Sequence, residues 1–293
     1  MTTLGGERAY AKINLCLFLG PTRSDGRHEL VTLFDSVGLH DELSFAELAT
    51  GPDRVLCDGV RGPNLVADAL AGLRDAGWRA PALEVTIEKR IPVAAGMGGG
   101  SADAAAVLRV APRLAPVAPA VVSEIAARLG ADVPSQLHGG PSLGTGAGER
   151  IEPLQPLEPY GVLVIPQPFA LRTADVYRES DRLGLPRSRH DLRRLHTSLL
   201  AALPPRLTPE LMVNDLQAAS LSLAPRIAAA LDAAAGAGAD RALVCGSGPT
   251  VIGVFVGPDG ERRAGVAASA LSELFPGAIV TGPVGSSQFG DLT

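Results

Sequence analysis

Between Pro92 and Ser101 the sequence reads Pro-Val-Ala-Ala-Gly-Met-Gly-Gly-Gly-Ser, and Ala102, Asp103, Ala104 and Ala105 follow. Four glycines in five positions, then a serine and small helix formers, describe a loop without side chains that opens into a helix. The exposed N–H groups of such a loop, with the first-turn N–H groups and the positive dipole end of the helix, form a cradle for an anion, most naturally a phosphate. A flexible linker would carry polar flanks, whereas an apolar segment precedes this loop and an Ala-rich one follows it. Three other stretches hold polar groups or turns that chemistry can use. Lys12 and Asn14 alternate with Ile13 and Leu15, so on a strand the two polar side chains share a face; taken alone, this also describes the solvated face of an edge strand. Asp132 precedes Val133 and Pro134 at a helix start, where an N-cap is the simple reading. Gly246-Ser247-Gly248 by itself reads as a hairpin turn.

Two common phosphate loops are excluded by residues and by position. No Lys follows a suitable glycine, as a P-loop requires. The series Gly96-x-Gly98 leads to Ser101 where a dinucleotide fingerprint needs its third glycine, and about 90 residues of largely antiparallel character precede it.

The elements that must hold these groups follow from periodicity and breakers. Residues 8–19, 29–37 and 41–47 alternate as strands, with a turn rich in Asp, Gly and Arg from Pro21 to His28. Leu65, Ala69, Leu70 and Leu73 predict a helix over 64–76, stopped by Gly77, and 83–87 returns to strand alternation. The glycine loop therefore joins a strand to a helix that is expected to end near Pro112. A second helix is expected over 119–129, closed by Gly130, and a third begins at Asp132. Gly139 to Gly148 reads as tight β-turns and bulges. Pro153, Pro156 and Pro159 mark a domain boundary, placing one domain at 1–155 and a second at 156–293. Beyond it the pattern predicts a strand at 161–166, a basic helix at 187–200 with a solvated arginine face, a helix over 208–236, strands at 240–245 and 249–256, a helix over 261–274 and a strand over 277–284.

A chain of 293 residues can bury two cores. Hydrophobic residues make up 46% but aromatics only 4%, so Ala, Val and Leu must build them, as suits α/β layers packed through small side chains. With a net charge of −5 there is no global basic field to attract nucleic acid. Cys16, Cys57 and Cys245 are scattered and odd in number, which argues for a reduced cytoplasmic protein without a disulfide framework or zinc site. The N-terminus lacks a signal peptide's apolar core, and no run of about 18 apolar residues exists, so no membrane partner is expected.

The segment Pro92 to Ser101 resembles the phosphate loop of the GHMP kinases, named for galactokinase, homoserine kinase, mevalonate kinase and phosphomevalonate kinase. Two further motifs of that family occur in order, Ala11-Lys12-Ile13-Asn14-Leu15 near the start and Cys245-Gly246-Ser247-Gly248-Pro249-Thr250 near the end. The resemblance implies an α+β, two-domain GHMP kinase fold, with an N-terminal domain of the ribosomal-protein-S5-domain-2-like type and a C-terminal ferredoxin-like α/β sandwich. It narrows on Asp25-Gly26-Arg27-His28-Glu29-Leu30, Gly98-Gly99-Gly100-Ser101, Ala131-Asp132-Val133-Pro134 and Asn214-Asp215-Leu216. The branch so indicated is the one that phosphorylates the 2-hydroxyl of methylerythritol in a cytidine diphosphate conjugate, on the non-mevalonate route to isoprenoids.

The alternatives are a homoserine- or mevalonate-type acceptor, which would not need the Asp25-to-Leu30 segment with Asn14, or a non-catalytic nucleotide- or RNA-binding member. Loss of Lys12 or Asp132 would have supported the last, and both are present.

Carried over to this sequence, the resemblance implies that Asp132 accepts or orients the hydroxyl proton and that Lys12 neutralises charge building at the same centre. ATP would be held by Pro92, Gly96, Met97, Gly98, Gly99, Gly100, Ser101 and Ala102, with Asn64 and Lys89 near adenine. A helix N-cap and an exposed strand-end lysine are the competing roles for those last two. A side chain at Gly98 or Gly99 is expected to clash with the nucleotide. The acceptor would meet Asn14, His28, Tyr177 and the turn Gly246, Ser247 and Gly248. Arg27 stands where most members carry Tyr, so the base is expected between Tyr177 and a guanidinium. Ser135 and Gln136 replace bulky apolar residues beside Asp132. Mg²⁺ is expected with ATP, its ligands unassigned, and the chain is expected to be a monomer or weak homodimer.

Overall fold

The computed structural model describes residues 2–60, 62–202 and 207–289. The chain begins with two long antiparallel strands, β1 (Thr2–Thr22) and β2 (His28–Glu47). The strands expected at 29–37 and 41–47 are one strand: a register shift opposite Tyr10 and Ala11 absorbs the irregularity at Gly38, and Gly38 N–H donates to Gly282 O at 2.9 Å instead of turning the chain. Next come β3 (Arg54–Cys57), α1 (Leu65–Asp75) and β4 (Leu83–Glu88). β3 pairs parallel with β4, which corrects the antiparallel reading of this half; a four-residue strand is too short to announce itself by alternation.

The glycine loop opens α2 (Gly99–Leu114), followed by α3 (Pro119–Leu129), α4 (Val133–His138), β5 (Ser142–Thr145) and β6 (Arg150–Pro153). The sheet order is β3-β4-β2-β5-β6, with β1 on β2. Residues 102–111 of α2 are all buried, as expected of a helix with no face left for water. Its six alanines among those ten let the neighbours approach closely, and its two buried charges are paired. The helix runs past Pro112, whose ring forfeits one bond in the final turn.

The chain crosses between sheets at 154–159. The second sheet holds β7 (Tyr160–Ile165), and α5 (Thr173–Arg182), α6 (Arg189–Ala202), α7 (Gln217–Leu223) and α8 (Ile227–Gly236) precede β8 (Arg241–Val244), β9 (Val251–Val256), α9 (Gly260–Ala270) and β10 (Ile279–Thr281). Its antiparallel order β10-β7-β9-β8, with α8 and α9 packed on it, is the split arrangement of a ferredoxin-like sandwich.

Two expectations fail here. The single helix over 208–236 is broken into α7 and α8 around Pro225, whose missing N–H and fixed φ interrupt the ladder. No helix was expected over Thr173–Arg182, yet α5 forms there. The basic helix behaves as read: Leu192 and Leu199 are buried as α6 packs on β1 and β2, while Arg193 and Arg194 stay in water.

One apolar cluster runs through both sheets, joining Ile13, Leu15 and Leu43 to Val162, Val164 and Val254. Tyr160 Oη donates to Asp35 Oδ2 at 2.7 Å across the same junction. The last described residues return to the first half, where Phe289 packs 5.1 Å from the Tyr10 ring and 5.0 Å from the Arg109 guanidinium. Among the described residues no helix is long and apolar enough to cross a membrane.

Candidate active site

β1 is buried from Ala9 to Gly20, because α2 covers part of it and residues 213–215 lie along another part. Leu17 N–H donates to Val213 O at 2.7 Å, and Asp215 N–H to Leu17 O at 2.9 Å. The polar face of β1 is therefore not the solvated edge that its alternation allows. Lys12 and Asn14 are 5% and 2% exposed and face a cavity of about 550 Å³. Lys12 Nζ donates to Asn14 Oδ1 at 2.8 Å, Asn14 Nδ2 to Thr32 Oγ1 at 2.8 Å, and Thr32 Oγ1 to Cys16 O at 2.7 Å. This chain leaves the ammonium one fixed direction, toward Asp132 Oδ2 at 3.3 Å.

Asp132 immediately precedes α4, yet its backbone is helical (φ −84°, ψ −19°) and its carboxylate caps nothing. An N-cap needs extended backbone to turn its oxygen onto the N2 or N3 amide. The competing role thus falls away, and the carboxylate is free, 35% exposed, at the cavity wall. Ser135 Oγ donates to the Asp132 carbonyl at 2.8 Å, which ties down its backbone. Gln136 is buried and contributes its carbonyl to Arg109 Nη1 at 2.6 Å. Nothing in the structure explains why its buried Nε2 lacks a partner.

Opposite this pair runs the glycine loop. Gly96 and Gly98 have φ of +79° and +68°, conformations that suit glycine. A Cβ on Gly96 would lie 2.2 Å from Cys245 O, so this glycine lets the loop touch the 245–248 turn. The expected clash of side chains with nucleotide needs correction at the next two positions. A Cβ on Gly98 would meet Lys12 Cγ at 3.0 Å, and one on Gly99 would meet Ile91 Cγ2 at 3.1 Å and Lys89 Nζ at 3.2 Å. These glycines make room for the protein's own side chains, which brings the loop backbone up to the cavity. Pro92, Gly96, Gly98, Gly99, Gly100 and Ser101 line it; Met97 and Ala102 are 1% exposed and belong to the core. Met97 still serves the site through its backbone, as its carbonyl accepts Lys12 N–H at 3.0 Å.

Asn64 and Lys89 also reach the cavity. Asn64 does cap α1, accepting Val66 N–H at 2.9 Å, so its amide NH₂ is what it can offer a ligand. Lys89 is no exposed strand-end lysine: it is held by Asp41 and by Asp103, 2.7 Å away. Burial disfavours its ammonium, but the two carboxylates outweigh that and raise its pKa. Asp103 is pushed up to about 7, first by burial and then by the Asp41 charge, which together exceed the pull of Lys89.

Tyr177, on α5, lines the far wall, and burial followed by the Asp132 charge raises its phenol pKa. Gly246 and Ser247 join it there, while Gly248 turns away, its N–H closing the turn on Cys245 O at 2.8 Å. Arg27 is not across from Tyr177. Its guanidinium lies on Asp25 Oδ2 at 3.2 and 3.3 Å and its N–H on Asp25 Oδ1 at 3.1 Å, a local turn that leaves the side chain 51% exposed. His28 takes that place, its ring centroid 5.2 Å from that of Tyr177.

Sequence reasoning passed over three supports of the site. Thr32 relays Asn14 to the backbone and is fully buried. Asn214 matched a motif but had no role: its Nδ2 donates to Val244 O and Gly246 O, both at 2.7 Å, and holds the turn in place. Asp181 lies 2.7 Å from His28 Nε2. A polar residue at a position that otherwise reads as core was the available signal for Thr32; none existed for Asp181. Among the described residues no group of three or more His, Cys, Asp or Glu could hold a metal ion.

Residues 64–140 match the family model described as the GHMP kinases N terminal domain, and residues 195–277 match that of the GHMP kinases C terminal. The 4-diphosphocytidyl-2-C-methyl-D-erythritol kinase of Anaeromyxobacter dehalogenans is 40% identical over 269 residues, covering 88% of this chain and 83% of that protein. The Salinispora tropica protein of that name is 37% identical, covering 97% and 93%. A crystal structure of 4-(cytidine 5'-diphospho)-2C-methyl-D-erythritol kinase matches with a TM-score of 0.75 and 32% identity over 96% of this chain and 100% of that one. The Methanococcus jannaschii mevalonate kinase, at 10% identity and a TM-score of 0.67 over 96% and 98%, shares the fold.

Proposed function

The chain belongs to the GHMP kinases, and on that footing we propose that it transfers the γ-phosphoryl group of ATP to the 2-hydroxyl of 4-diphosphocytidyl-2-C-methyl-D-erythritol. The observation that carries the reading is a single cavity lined by Lys12 and Asp132, by the glycine loop, and by Tyr177. Residues 1–155 supply the reacting pair and the loop; residues 156–293 supply the aromatic wall and the 246–248 turn. The acceptor's identity is supported by the names of relatives about 40% identical over most of the chain.

Phosphoryl transfer asks the protein for alignment and charge stabilisation more than for covalent chemistry. Backbone N–H groups from Gly96 to Ser101 and the N-terminus of α2 would hold the β- and γ-phosphates. Asp132, unencumbered by the helix behind it, accepts the hydroxyl proton as the nucleophile forms. The Lys12 ammonium, fixed by Asn14, offsets charge on the oxygens in flight. Asn64 through its amide and Lys89 border the adenine, and Asn14 orients the acceptor hydroxyls.

The donors beside the loop suit Mg²⁺. Ser101 and Asp132 both line the cavity and offer one or two oxygens each, and this ion keeps several waters and takes the rest of its ligands from substrate phosphates. Bound there by Ser101 and the ATP phosphates, it would supply further neutralisation of the β- and γ-oxygens.

The test is ADP release measured with the cytidine diphosphate conjugate, methylerythritol phosphate, homoserine and mevalonate in parallel. Turnover on the conjugate alone is expected. Turnover on homoserine or mevalonate with none on the conjugate would overturn the acceptor and leave the family standing.

A further inference from the structure

We propose that Asp181 sets the base specificity of the acceptor pocket by deciding which nitrogen of His28 carries the proton, an inference that rests on the cytidine reading above. His28 opens β2 and is 6% exposed. Its Nε2 lies 2.7 Å from Asp181 Oδ1 and 3.3 Å from Thr22 Oγ1. A carboxylate only accepts, so in the neutral ring Nε2 bears the hydrogen and Nδ1 the lone pair. Among the described residues Nδ1 has no protein partner.

Asp181 follows Tyr177 by four residues on α5, so one helix face presents both the aromatic ring and the carboxylate. The Tyr177 ring lies against the imidazole at a 39° tilt and lines the cavity. A base seated on Tyr177 therefore has the His28 Nδ1 lone pair as its neighbour. Cytosine presents an exocyclic amino donor there. Uracil presents a carbonyl oxygen at the same position, and two acceptors face each other with neither satisfied. Asp181 touches no substrate in this arrangement; it is a positioning residue that acts through His28. Asn at 181 can accept from Nε2–H or donate to a bare Nε2, so it no longer forces one tautomer.

The experiment compares the full-length protein with Asp181→Asn. Long-range ¹⁵N–¹H spectra are expected to show the His28 Nε2–H tautomer in the wild type and a mixture in the variant. Calorimetry with cytidine 5′-diphosphate and uridine 5′-diphosphate is expected to show a wild-type preference for cytidine of about 10²-fold, falling at least about tenfold in Asp181→Asn, with melting temperature and KM for ATP unchanged. An unchanged preference, or an unchanged His28 spectrum, overturns the proposal, as does a wild type that binds both diphosphates equally. The acceptor reading fails separately: cytidine preference lost in Asp181→Asn, with no turnover of the cytidine conjugate by wild type, leaves the role of Asp181 standing and removes the proposed reaction.

Discussion

Replacing Asp132 by Asn removes a charge and almost no volume, and the geometry says what this should and should not cost. A capping carboxylate is worth about 1 kcal/mol to its helix, but Asp132 makes no bond to the amides of α4, so that contribution is not at stake. Its ion pair with Lys12, 3.3 Å long and 35% exposed on the carboxylate side, is worth at most about 1 kcal/mol. Stability in denaturant titrations should thus change by less than about 1 kcal/mol. Turnover should change far more. A positioned general base contributes about 10²- to 10⁴-fold, or about 2.7–5.5 kcal/mol of barrier. The expected outcome is kcat reduced by that factor, with KM for ATP and acceptor within about threefold, because the carboxylate works on the transition state. Coupled ADP release and denaturation on one preparation make the assay. A variant that keeps kcat within tenfold, or that loses turnover only in step with stability, refutes the reasoning.

Asp35→Asn tests the buried junction with Tyr160. Burial holds this carboxyl up at about 7 against an ordinary 3.8. The folded state therefore binds more protons between those values, and the stability this group allows falls as pH rises from about 4 to 7. The loss is complete above about 7 and is bounded by about 4 kcal/mol. The amide should flatten that slope in denaturant midpoints taken from pH 4.5 to 8; an unaltered slope would show that Asp35 is not its source. Gly96→Ala sets a Cβ 2.2 Å from Cys245 O at positive φ and should cost more than about 2 kcal/mol while raising KM for ATP. Gly100→Ala, whose Cβ comes no nearer than 3.8 Å to Leu65, should cost no stability, and equal losses in the two variants would contradict the loop geometry. Asn214→Ala strands the carbonyls of Val244 and Gly246. It should lose about 2–4 kcal/mol and weaken both substrates, and a wild-type melting curve would remove Asn214 as the support of the turn.

The loop at 96–100 could be read from its residues because its chemistry is local. Positive φ asks for glycine, and a helix begins where small residues follow. The strands and helices with clean periods, 83–87, 119–129 and 161–166 among them, were legible for the same reason. What escaped was set by contacts distant in sequence. β3 is a strand because β4 offers it an edge. α5, whose exposed charges give it little apolar signal, forms against α7, and Pro225 divides a run that Ala-rich composition made continuous.

At the site, residue types alone named Lys12, Asn14 and Asp132 but left each with an ordinary structural role beside the chemical one. Only the fold chose between them, since burial of β1 and the helical backbone at Asp132 depend on segments far along the chain. Arg27 and His28 show the limit most sharply. Neighbours in sequence, they part because Asp25 holds the guanidinium out in solvent while Asp181, 153 residues away from His28, fixes the imidazole beside Tyr177. The sequence determined which groups could bind phosphate and move a proton. The tertiary structure decided which of them share a cavity, because hydrogen-bond partners and burial belong to the packed chain and not to the order of its residues.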